Sequence, residues 1–342
     1  MRILVGMSGG LDSTYAALKL LREGHEVEGA VLIMHDFTDL SAAEEASKAI
    51  GIKLHVVDCR DIFSTVIENF VNEYSVARTP NPCIICNPLV KFRALYNYAV
   101  DNGFDKIATG HYARVVRVSD GGEEHFALAR PKDNKKDQTY MLYRLPEEIL
   151  SVLMLPLSDE LKSDVKELAK SESLAVAERR ESQEICFIPD GDYASYIEGI
   201  VGVFPEGNFV DVDGNVLGRH KGIIRYTYGQ RKGLGVAAGD RIFVTKIDPT
   251  NNTITLSKDG SLTDTVKISN IVFSGMSAPV AAFSRRAEVK LRYQAKPVSA
   301  LVNFEKNGRA ILLLDEPVKA VTPGQSAVIY DGDIVLCGGF ID

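Results

Sequence analysis

The sequence predicts a doubly wound α/β domain with a parallel sheet, followed by a small linker domain and a C-terminal all-β, barrel-like domain. In the first half, short apolar runs alternate with segments of helical periodicity, which is the pattern of β-α-β units. After about residue 196, glycine becomes frequent and helical periodicity gives way to short β-like runs. A chain of 342 residues fits two or three domains of roughly 150 residues each. We expect domains at residues 1–195, 196–260 and 263–342.

The first domain is predicted from four apolar runs, continuous as in strands that are covered on both faces. These runs are residues 2–6, 27–33, 54–58 and 105–109. Helical spacing follows the first run and ends at Gly24, and Ser41 with Glu44 has the spacing of a capping box for a second helix. Further helical segments are residues 62–74, 89–100 and 146 to about 178, with a proline-rich break at residues 79–82.

The later strands are short and are separated by turn residues, as in a small barrel. They are expected at residues 209–212, 242–247, 253–256, 266–273, 286–293, 300–304, 309–314 and 326–330.

Composition narrows the class of protein. Apolar residues make up 45% and charged residues 25% of the chain, which is typical of a globular protein. No apolar run approaches the ~20 residues that would span a bilayer, and the N-terminus does not resemble a signal peptide. We therefore expect a cytoplasmic protein without a membrane partner. The net charge of −7 argues against a protein that coats DNA.

The first strand runs into a glycine-rich turn and then a helix, an arrangement that can hold phosphate groups. Glycine lets backbone N–H groups face an anion, and a helix N-terminus adds partial positive charge. Ser8 and Ser13 supply hydroxyl donors, and Asp12 suits Mg²⁺ beside a pyrophosphate. The turn lacks the lysine of the kinase-type P-loop and the Rossmann glycine spacing. From the residues alone, an ordinary glycine-rich turn is the alternative.

The five cysteines are too few for a disulfide framework. Cys59 and Cys337 lie in apolar runs and are expected to be buried structural thiols. Cys83 and Cys86 form a Cys-x-x-Cys pair, and Cys186 follows later in the chain. A zinc site would need four ligands, and a thioredoxin-type pair would begin a helix directly after a strand. The spacing leaves zinc, redox chemistry and coincidence open.

Basic residues are concentrated in three segments, although the whole chain is acidic. Residues 130–144, 219–232 and 285–296 each hold five lysines or arginines, and Tyr226 and Tyr228 lie within the second segment. Such segments can bind a phosphate backbone, and the aromatic rings can stack on unpaired RNA bases. The alternative for each segment is an ordinary solvated face.

The turn Ser8-Gly9-Gly10-Leu11-Asp12-Ser13 resembles that of the PP-loop ATP pyrophosphatases, which adenylate an oxygen that a nucleophile then displaces. The cysteine segments extend the match. Along nearly its whole length the chain resembles the bacterial tRNA-specific 2-thiouridylase family. The matching segments are residues 6–13, 78–87, 91–92, 109–112, 136–140, 182–188, 220–222, 228–235, 291–293 and 322–325.

The resemblance implies an enzyme that uses ATP and Mg²⁺ to make 2-thiouridine at position 34 of tRNA. The O2 atom of the uracil would attack the α-phosphate, and sulfur would then displace AMP from C2. The anticodon stem-loop of tRNA and a sulfur donor (sulfide or a persulfide carrier protein) would be the partners.

The resemblance also implies residue roles. Nucleotide contacts would come from Gly6, Met7, Ser8, Gly9, Gly10, Leu11, Asp12, Ser13, Met34 and Gly110. Contacts with tRNA would come from Asn81, Pro82, Cys83, His111, Lys136, Asp137, Gln138, Arg292, Tyr293 and Gln325. In the usual account of the family, Cys186 carries the sulfur as a persulfide and Cys86 attacks it through a disulfide.

Cys83 departs from the family pattern, because many members have aspartate at this position. With Cys86 and Cys186 it gives three thiols, the number that holds a [4Fe–4S] cluster with one iron open. The sequence therefore favours sulfur delivery through such a cluster, and the Cys186 persulfide route is the alternative. A cluster predicts severe loss of activity in Cys83→Ser, whereas the persulfide route leaves Cys83 a bystander.

Two other functions compete with tRNA thiolation. One is a PP-loop synthetase that acts on a small molecule with ammonia, for which no glutaminase-like cysteine and histidine constellation is evident. The other is a tRNA-binding protein without activity, which the intact turn and cysteines disfavour. Pyrophosphate release from ATP that depends on tRNA distinguishes the thiolase from both.

Overall fold

The computed structural model describes residues 1–172, 185–236 and 241–342. The strands described in the first domain are β1 (Arg2–Gly6), β2 (Glu26–Ile33), β3 (Leu54–Asp58), β4 (Lys106–Ala108), β5 (Arg114–Asp120), β6 (Glu123–Ala129) and β7 (Leu153–Met154). Five of them form one parallel sheet of described residues, in the order β3-β2-β1-β4-β7. The predicted parallel α/β sheet is confirmed.

Helices cover both faces of this sheet. The helices described here are α1 (Leu11–Arg22), α2 (Leu40–Ile50), α3 (Arg60–Ser75), α4 (Pro82–Cys86), α5 (Phe92–Asp101), α6 (Thr139–Leu142), α7 (Glu147–Leu150) and α8 (Lys162–Ser171). Successive side chains of a strand point to opposite faces. In β1, Ile3 and Val5 accordingly pack with α1, α2 and α8, whereas Leu4 packs on the other face with α3 and α5.

Two local predictions are wrong. Asp39, and not Ser41, caps α2, because its carboxylate accepts from the backbone N–H of Ser41 at 3.1 Å and of Ala42 at 3.4 Å. The predicted helical segment from residue 146 is interrupted by β7 and by a turn, in which Leu155 and Leu157 are buried without helical spacing. Residues 173–178 of that segment, and residues 182–184 of the predicted cysteine segment, lie outside the described residues.

The middle part of the chain is a small mixed domain. Its described elements are α9 (Tyr193–Val201), β8 (Gly207–Val210), β9 (Val216–His220), β10 (Phe243–Asp248) and β11 (Thr253–Ser257). The strands pair in the order β10-β11-β8-β9.

The C-terminal part is a closed antiparallel barrel. Its described strands are β12 (Leu262–Phe273), β13 (Phe283–Lys290), β14 (Val298–Phe304), β15 (Ala310–Lys319), β16 (Ser326–Asp331) and β17 (Ile334–Ile341). They pair in the order β12-β15-β14-β13-β16-β17, and β17 pairs back with β12 to close the barrel. Alternate apolar side chains fill its interior, so the predicted all-β C-terminal domain is confirmed.

The barrel is joined to the first domain. The β5–β6 hairpin extends from the first domain, and its Ala129 pairs with Ile334 of β17. Beside this contact, the Nζ of Lys290 lies 3.4 Å from the Oδ2 of Asp137, and both side chains are at most 10% exposed. None of the described helices has the length and apolar character needed to cross a membrane.

Candidate active site

The glycine-rich turn lies between β1 and α1, at the carboxyl edge of the sheet. Gly9 has φ +71°, and a Cβ there would lie 2.4 Å from the backbone of Ala42, so only glycine fits. The hydroxyls of Ser8 and Ser13 are 3.2 Å apart, and Ser13 donates to the carbonyl of Gly10 at 3.1 Å. Among the described residues no side chain caps α1. Its first N–H groups can therefore bind an anion such as phosphate.

Asp12 is held by a lysine that is distant in sequence. The Nζ of Lys162 lies 2.6 and 2.7 Å from the two carboxylate oxygens of Asp12, and the hydroxyl of Tyr112 donates to the same carboxylate at 3.2 Å. The Lys162 side chain is 7% exposed and that of Asp12 is 33% exposed. Lys162 was not predicted from the sequence, because nothing in the residue spacing around α8 marks it. The site therefore holds a buried ammonium beside the proposed phosphate position.

Gly110 brings the end of β4 against this turn. A Cβ on Gly110 would lie 2.4 Å from the backbone carbon of Asp12, so the close approach requires glycine. The side chain of Gln138 then accepts a hydrogen bond from the backbone N–H of Tyr112 at 2.8 Å. Gly110 and Asp12, which were both predicted to contact the nucleotide, are thus neighbours.

His111 is partly buried, and its imidazole is uncharged at neutral pH. Its Nδ1 lies 2.9 Å from the hydroxyl of Thr109, and its ring packs on Phe92 with centroids 5.4 Å apart. Burial, and to a lesser degree the charge of Lys91, lowers the pKa of His111 to about 3. A contact with tRNA through this side chain would be a hydrogen bond and not a phosphate ion pair.

The Cys-x-x-Cys pair lies on the short helix α4, which follows the proline-rich stretch. The Asn81 side chain accepts from the N–H of Cys83 at 3.2 Å, and Pro82 occupies the first turn, where its missing N–H costs nothing. Cys83 is exposed and Cys86 is buried. Asn81, which was predicted to contact tRNA, therefore also forms the cap of the cysteine-bearing helix.

The three thiols lie close enough to affect one another's ionisation. Burial raises the pKa of the Cys86 thiol to about 12; the neighbouring Cys83 and Cys186 add to this effect, and the ammonium of Lys91 opposes it. Cys186 is an exposed residue, but partial desolvation by its neighbours raises the pKa of its thiol; Cys83 adds to this effect, and Lys91 opposes it. The Sγ of Cys86 also lies 3.9 Å from the Sδ of Met34, which directly follows β2. Met34 therefore joins the thiols to the edge of the sheet that carries the glycine-rich turn.

The thiols match the donor type of an iron–sulfur cluster but not its geometry. Across residues 1–172, 185–236 and 241–342, no three histidine, cysteine, aspartate or glutamate side chains are arranged to hold a metal ion. Cys59 and Cys337 are buried, as expected, and burial raises the pKa of Cys59 to about 11.

Several residues that were predicted to contact tRNA form bonds within the protein. Gln325 donates to the backbone carbonyl of Thr79 at 2.7 Å, and Arg292 donates to the hydroxyl of Thr322 at 2.9 Å. The Nζ of Lys290 lies 5.6 Å from the ring centre of Tyr293. These side chains line the junction between the barrel and the cysteine-bearing segment.

Residues 136–138 lie at the same junction. Asp137 is buried, accepts from the N–H of Thr139 at 2.9 Å and pairs with Lys290. The side chain of Gln138 accepts a hydrogen bond from the backbone N–H of Tyr112, and Lys136 is partly exposed. In this conformation Asp137 and Gln138 hold the fold together.

Basic side chains are exposed in the middle and barrel segments. Within residues 219–232, Arg225 pairs with Glu198, whereas Lys221, Arg231 and Lys232 are exposed. Lys296 is exposed in the barrel segment. An acidic chain thus presents positive side chains in two of the segments that the sequence singled out.

Known proteins match this chain along nearly its whole length. Family models match residues 1–190 (tRNA methyl transferase HUP domain), 194–258 (tRNA methyl transferase PRC-barrel domain) and 263–341 (aminomethyltransferase beta-barrel domain). The tRNA-specific 2-thiouridylase MnmA of Acetivibrio thermocellus is 41% identical over 361 residues, covering 99% of both chains. The protein of that name from Clostridioides difficile is 41% identical over 356 residues, covering 100% of this chain and 98% of its own. The chain belongs to the tRNA-specific 2-thiouridylase family.

Membership in the tRNA-specific 2-thiouridylase family makes the protein a sulfurtransferase of the PP-loop, ATP-using type. Among solved structures, a 4-thiouridine synthetase in complex with RNA and ATP is 17% identical, covers 50% of this chain and 40% of its own, and has a TM-score of 0.33.

Proposed function

We propose that this protein thiolates tRNA with ATP, replacing O2 of the wobble uridine at position 34 with sulfur and releasing AMP and pyrophosphate. One observation carries the proposal. Cys86 contacts Met34 at the same sheet edge as the glycine-rich turn, which supports sulfur transfer beside the proposed ATP site. The enzyme would act in the cytoplasm, on the anticodon stem-loop of tRNA.

The turn supplies the adenylation chemistry. The free N–H groups of α1 and the hydroxyls of Ser8 and Ser13 would bind the phosphates of ATP. O2 of the uracil attacks the α-phosphorus and pyrophosphate leaves. Lys162 would stabilise the negative charge that develops at this step. Asp12, with one-third of its side chain exposed, is an oxygen donor of the kind that Mg²⁺ prefers and would share its carboxylate with Lys162.

The thiols supply the sulfur. In the persulfide route, the outer sulfur on Cys186 attacks C2 of the adenylated base and AMP leaves. The thiolate of Cys86 then attacks the sulfur of Cys186, which frees the thiocarbonyl and leaves a disulfide that a dithiol must reduce. Lys91 supports the proposal because its charge favours the thiolate of both cysteines. In the cluster route that the sequence favours, Cys83, Cys86 and Cys186 would instead bind a [4Fe–4S] cluster fed by sulfide.

Reconstitution tests the proposed function. Unmodified tRNA, MgATP and either sulfide or a persulfide carrier are incubated with the enzyme, and nucleosides are measured by mass spectrometry. We expect 2-thiouridine at position 34 and pyrophosphate release that requires tRNA. Pyrophosphate release that requires ammonia and not tRNA would contradict the proposal in favour of a small-molecule synthetase.

Iron analysis separates the two routes. Protein purified without oxygen is assayed for iron and acid-labile sulfide, in the wild type and in Cys83→Ser. About four irons per wild-type chain, lost in the variant together with activity, would establish the cluster. Absence of iron after reconstitution, with normal thiolation by Cys83→Ser, would establish the persulfide route.

A further inference from the structure

The connection between β15 and β16, residues 320–325, which we name the junction turn, holds the backbone that leads into the cysteine-bearing helix. The N–H of Thr79 donates to the carbonyl of Pro323 at 2.8 Å, and the side chain of Gln325 donates to the carbonyl of Thr79 at 2.7 Å. Both the backbone N–H and the carbonyl of Thr79 are therefore hydrogen-bonded to the barrel. The neighbouring Arg78 donates to the carbonyl of Ile341 at 2.9 Å.

The approach of the two backbones is close enough to require glycine. Gly324 has φ +88°, and a Cβ there would lie 2.9 Å from the nitrogen of Thr79 and 3.1 Å from the Cβ of Arg78. An added methyl group at this position would push the segment that contains Thr79 away from the barrel.

A short and stiff path connects Thr79 to the thiols. Pro80 and Pro82 fix φ at two of the next three positions. Between them, Asn81 caps the N–H of Cys83 at 3.2 Å. A displacement at Thr79 would therefore be carried into α4 instead of being absorbed by a flexible loop.

The junction turn also touches the middle domain. A Cβ on Gly229 would lie 2.5 Å from the Cβ of Ala320, and Gly229 belongs to the basic segment of residues 219–232. Arg292 of the barrel donates to Thr322 of the turn at 2.9 Å. The turn thus contacts all three parts of the molecule within six residues.

We propose that the junction turn is a positioning element of the sulfur-transfer site, in which Gly324 and Gln325 set the place of the helix that carries Cys83 and Cys86. This inference rests on the proposed function and deepens it. The barrel then contributes to the sulfur-transfer step through Thr79, in addition to any surface it offers to RNA.

Gly324→Ala tests the inference, with Gly308→Ala as the matched control. Gly308 lies in the same barrel with φ +70°, and a Cβ there would meet no atom within 4 Å. We expect Gly324→Ala to lower kcat of thiolation about 100-fold, the effect of a small misplacement of reacting groups, with KM for tRNA unchanged. Alkylation of Cys86 in the absence of tRNA should become about tenfold faster, because opening the buried site restores thiolate.

Gln325→Glu is the second variant, for the case in which Gly324→Ala does not fold. It keeps the size of the side chain and removes the N–H that binds Thr79, so the same changes in kcat and in Cys86 alkylation are expected. Values equal to those of Gly308→Ala, or a rise in KM alone, would overturn the inference. If the wild type makes no 2-thiouridine, the proposed function fails, and the alkylation comparison still decides whether the junction turn positions α4.

Discussion

At the residue scale, the site depends on charged side chains that are partly or fully shielded from solvent. The Lys162–Asp12 pair joins positions 150 residues apart, and the lysine is almost fully buried. The sequence revealed Asp12 because its neighbours Ser8, Gly9 and Ser13 form a local pattern. It could not reveal Lys162, because the pairing arises only when α8 packs on α1. Lys91 lies in a segment that the sequence singled out, but its effect on Cys86 and Cys186 depends on the folded arrangement.

Lys162→Ala should lower the rate of tRNA-dependent pyrophosphate release by about 10²–10³, as does loss of a group that stabilises transition-state charge. Pyrophosphate release under saturating ATP measures the effect. Lys19→Ala is the control, because Lys19 also bridges α1 to the segment before α8, through Glu160 at 2.6 Å, but lies away from the turn. Equal losses in both variants would show that Lys162 serves only to pack α8.

His111→Gln should leave the salt dependence of tRNA binding unchanged. The pKa of His111, about 3, means that the ring is neutral above pH 4 and releases no counterion from tRNA. Lys232→Ala, at an exposed position, should instead reduce the slope of log K against log salt by about one. Filter binding at several salt concentrations measures both slopes. A reduced slope in His111→Gln would mean that the imidazole is charged in the complex.

At the scale of elements, the sequence predicted what depends on local periodicity. The limits of β1 and β3 agree with the predicted runs, and α3 lies where the apolar spacing placed it. The β5–β6 hairpin was missed, because its strands RVVRVSD and EEHFALA have neither a continuous apolar run nor a regular two-residue alternation. The hairpin also extends from the domain instead of joining its sheet. The strand β17 was missed as well. Its glycines weaken the apparent strand pattern, yet they fit the chain against Tyr143 and β12.

Asn81→Ala should destabilise α4 by about 1 kcal/mol, because the N–H of Cys83 loses its cap. Thiolation should fall more than stability alone explains, since the thiols depend on this helix, whereas Asn81→Asp keeps the capping oxygen and should retain activity. The melting temperature and kcat are measured together. Asp192→Ala, which removes the cap of α9 at Ser195, is the control for an equal loss of stability. An unchanged kcat in Asn81→Ala would show that thiolation does not depend on the cap of α4.

At the scale of the whole molecule, the barrel and the first domain share a buried ion pair. Asp137 and Lys290 come from different domains and are enclosed together with Thr139 and Tyr330. The resemblance implied that Asp137 contacts RNA, and only the folded structure shows its bond to Lys290. The periodicity of a sequence predicts which face of a helix or strand is buried. It does not predict which domain packs against that face.

Lys290→Met should lower the free energy of unfolding by about 3–5 kcal/mol, because it leaves the carboxylate of Asp137 buried without its partner. The double variant Asp137→Asn with Lys290→Met should recover most of the loss, since no unpaired charge remains. Urea unfolding of the three proteins measures this. If the double variant is as unstable as the single one, the lysine contributes by packing and not by charge.

The pairing of Ala129 with Ile334 affects how the protein folds during its synthesis on the ribosome. The β5–β6 hairpin is made early. The strand β17 closes the barrel, pairs with the hairpin through Ile334 and Ala129, and is made after every other described strand. A nascent chain folds from its N-terminus. The edge of β6 at Ala129 therefore has no partner strand while some two hundred further residues are synthesised. Stalled or prematurely released chains would expose this edge, and we expect them to be the species that chaperones capture.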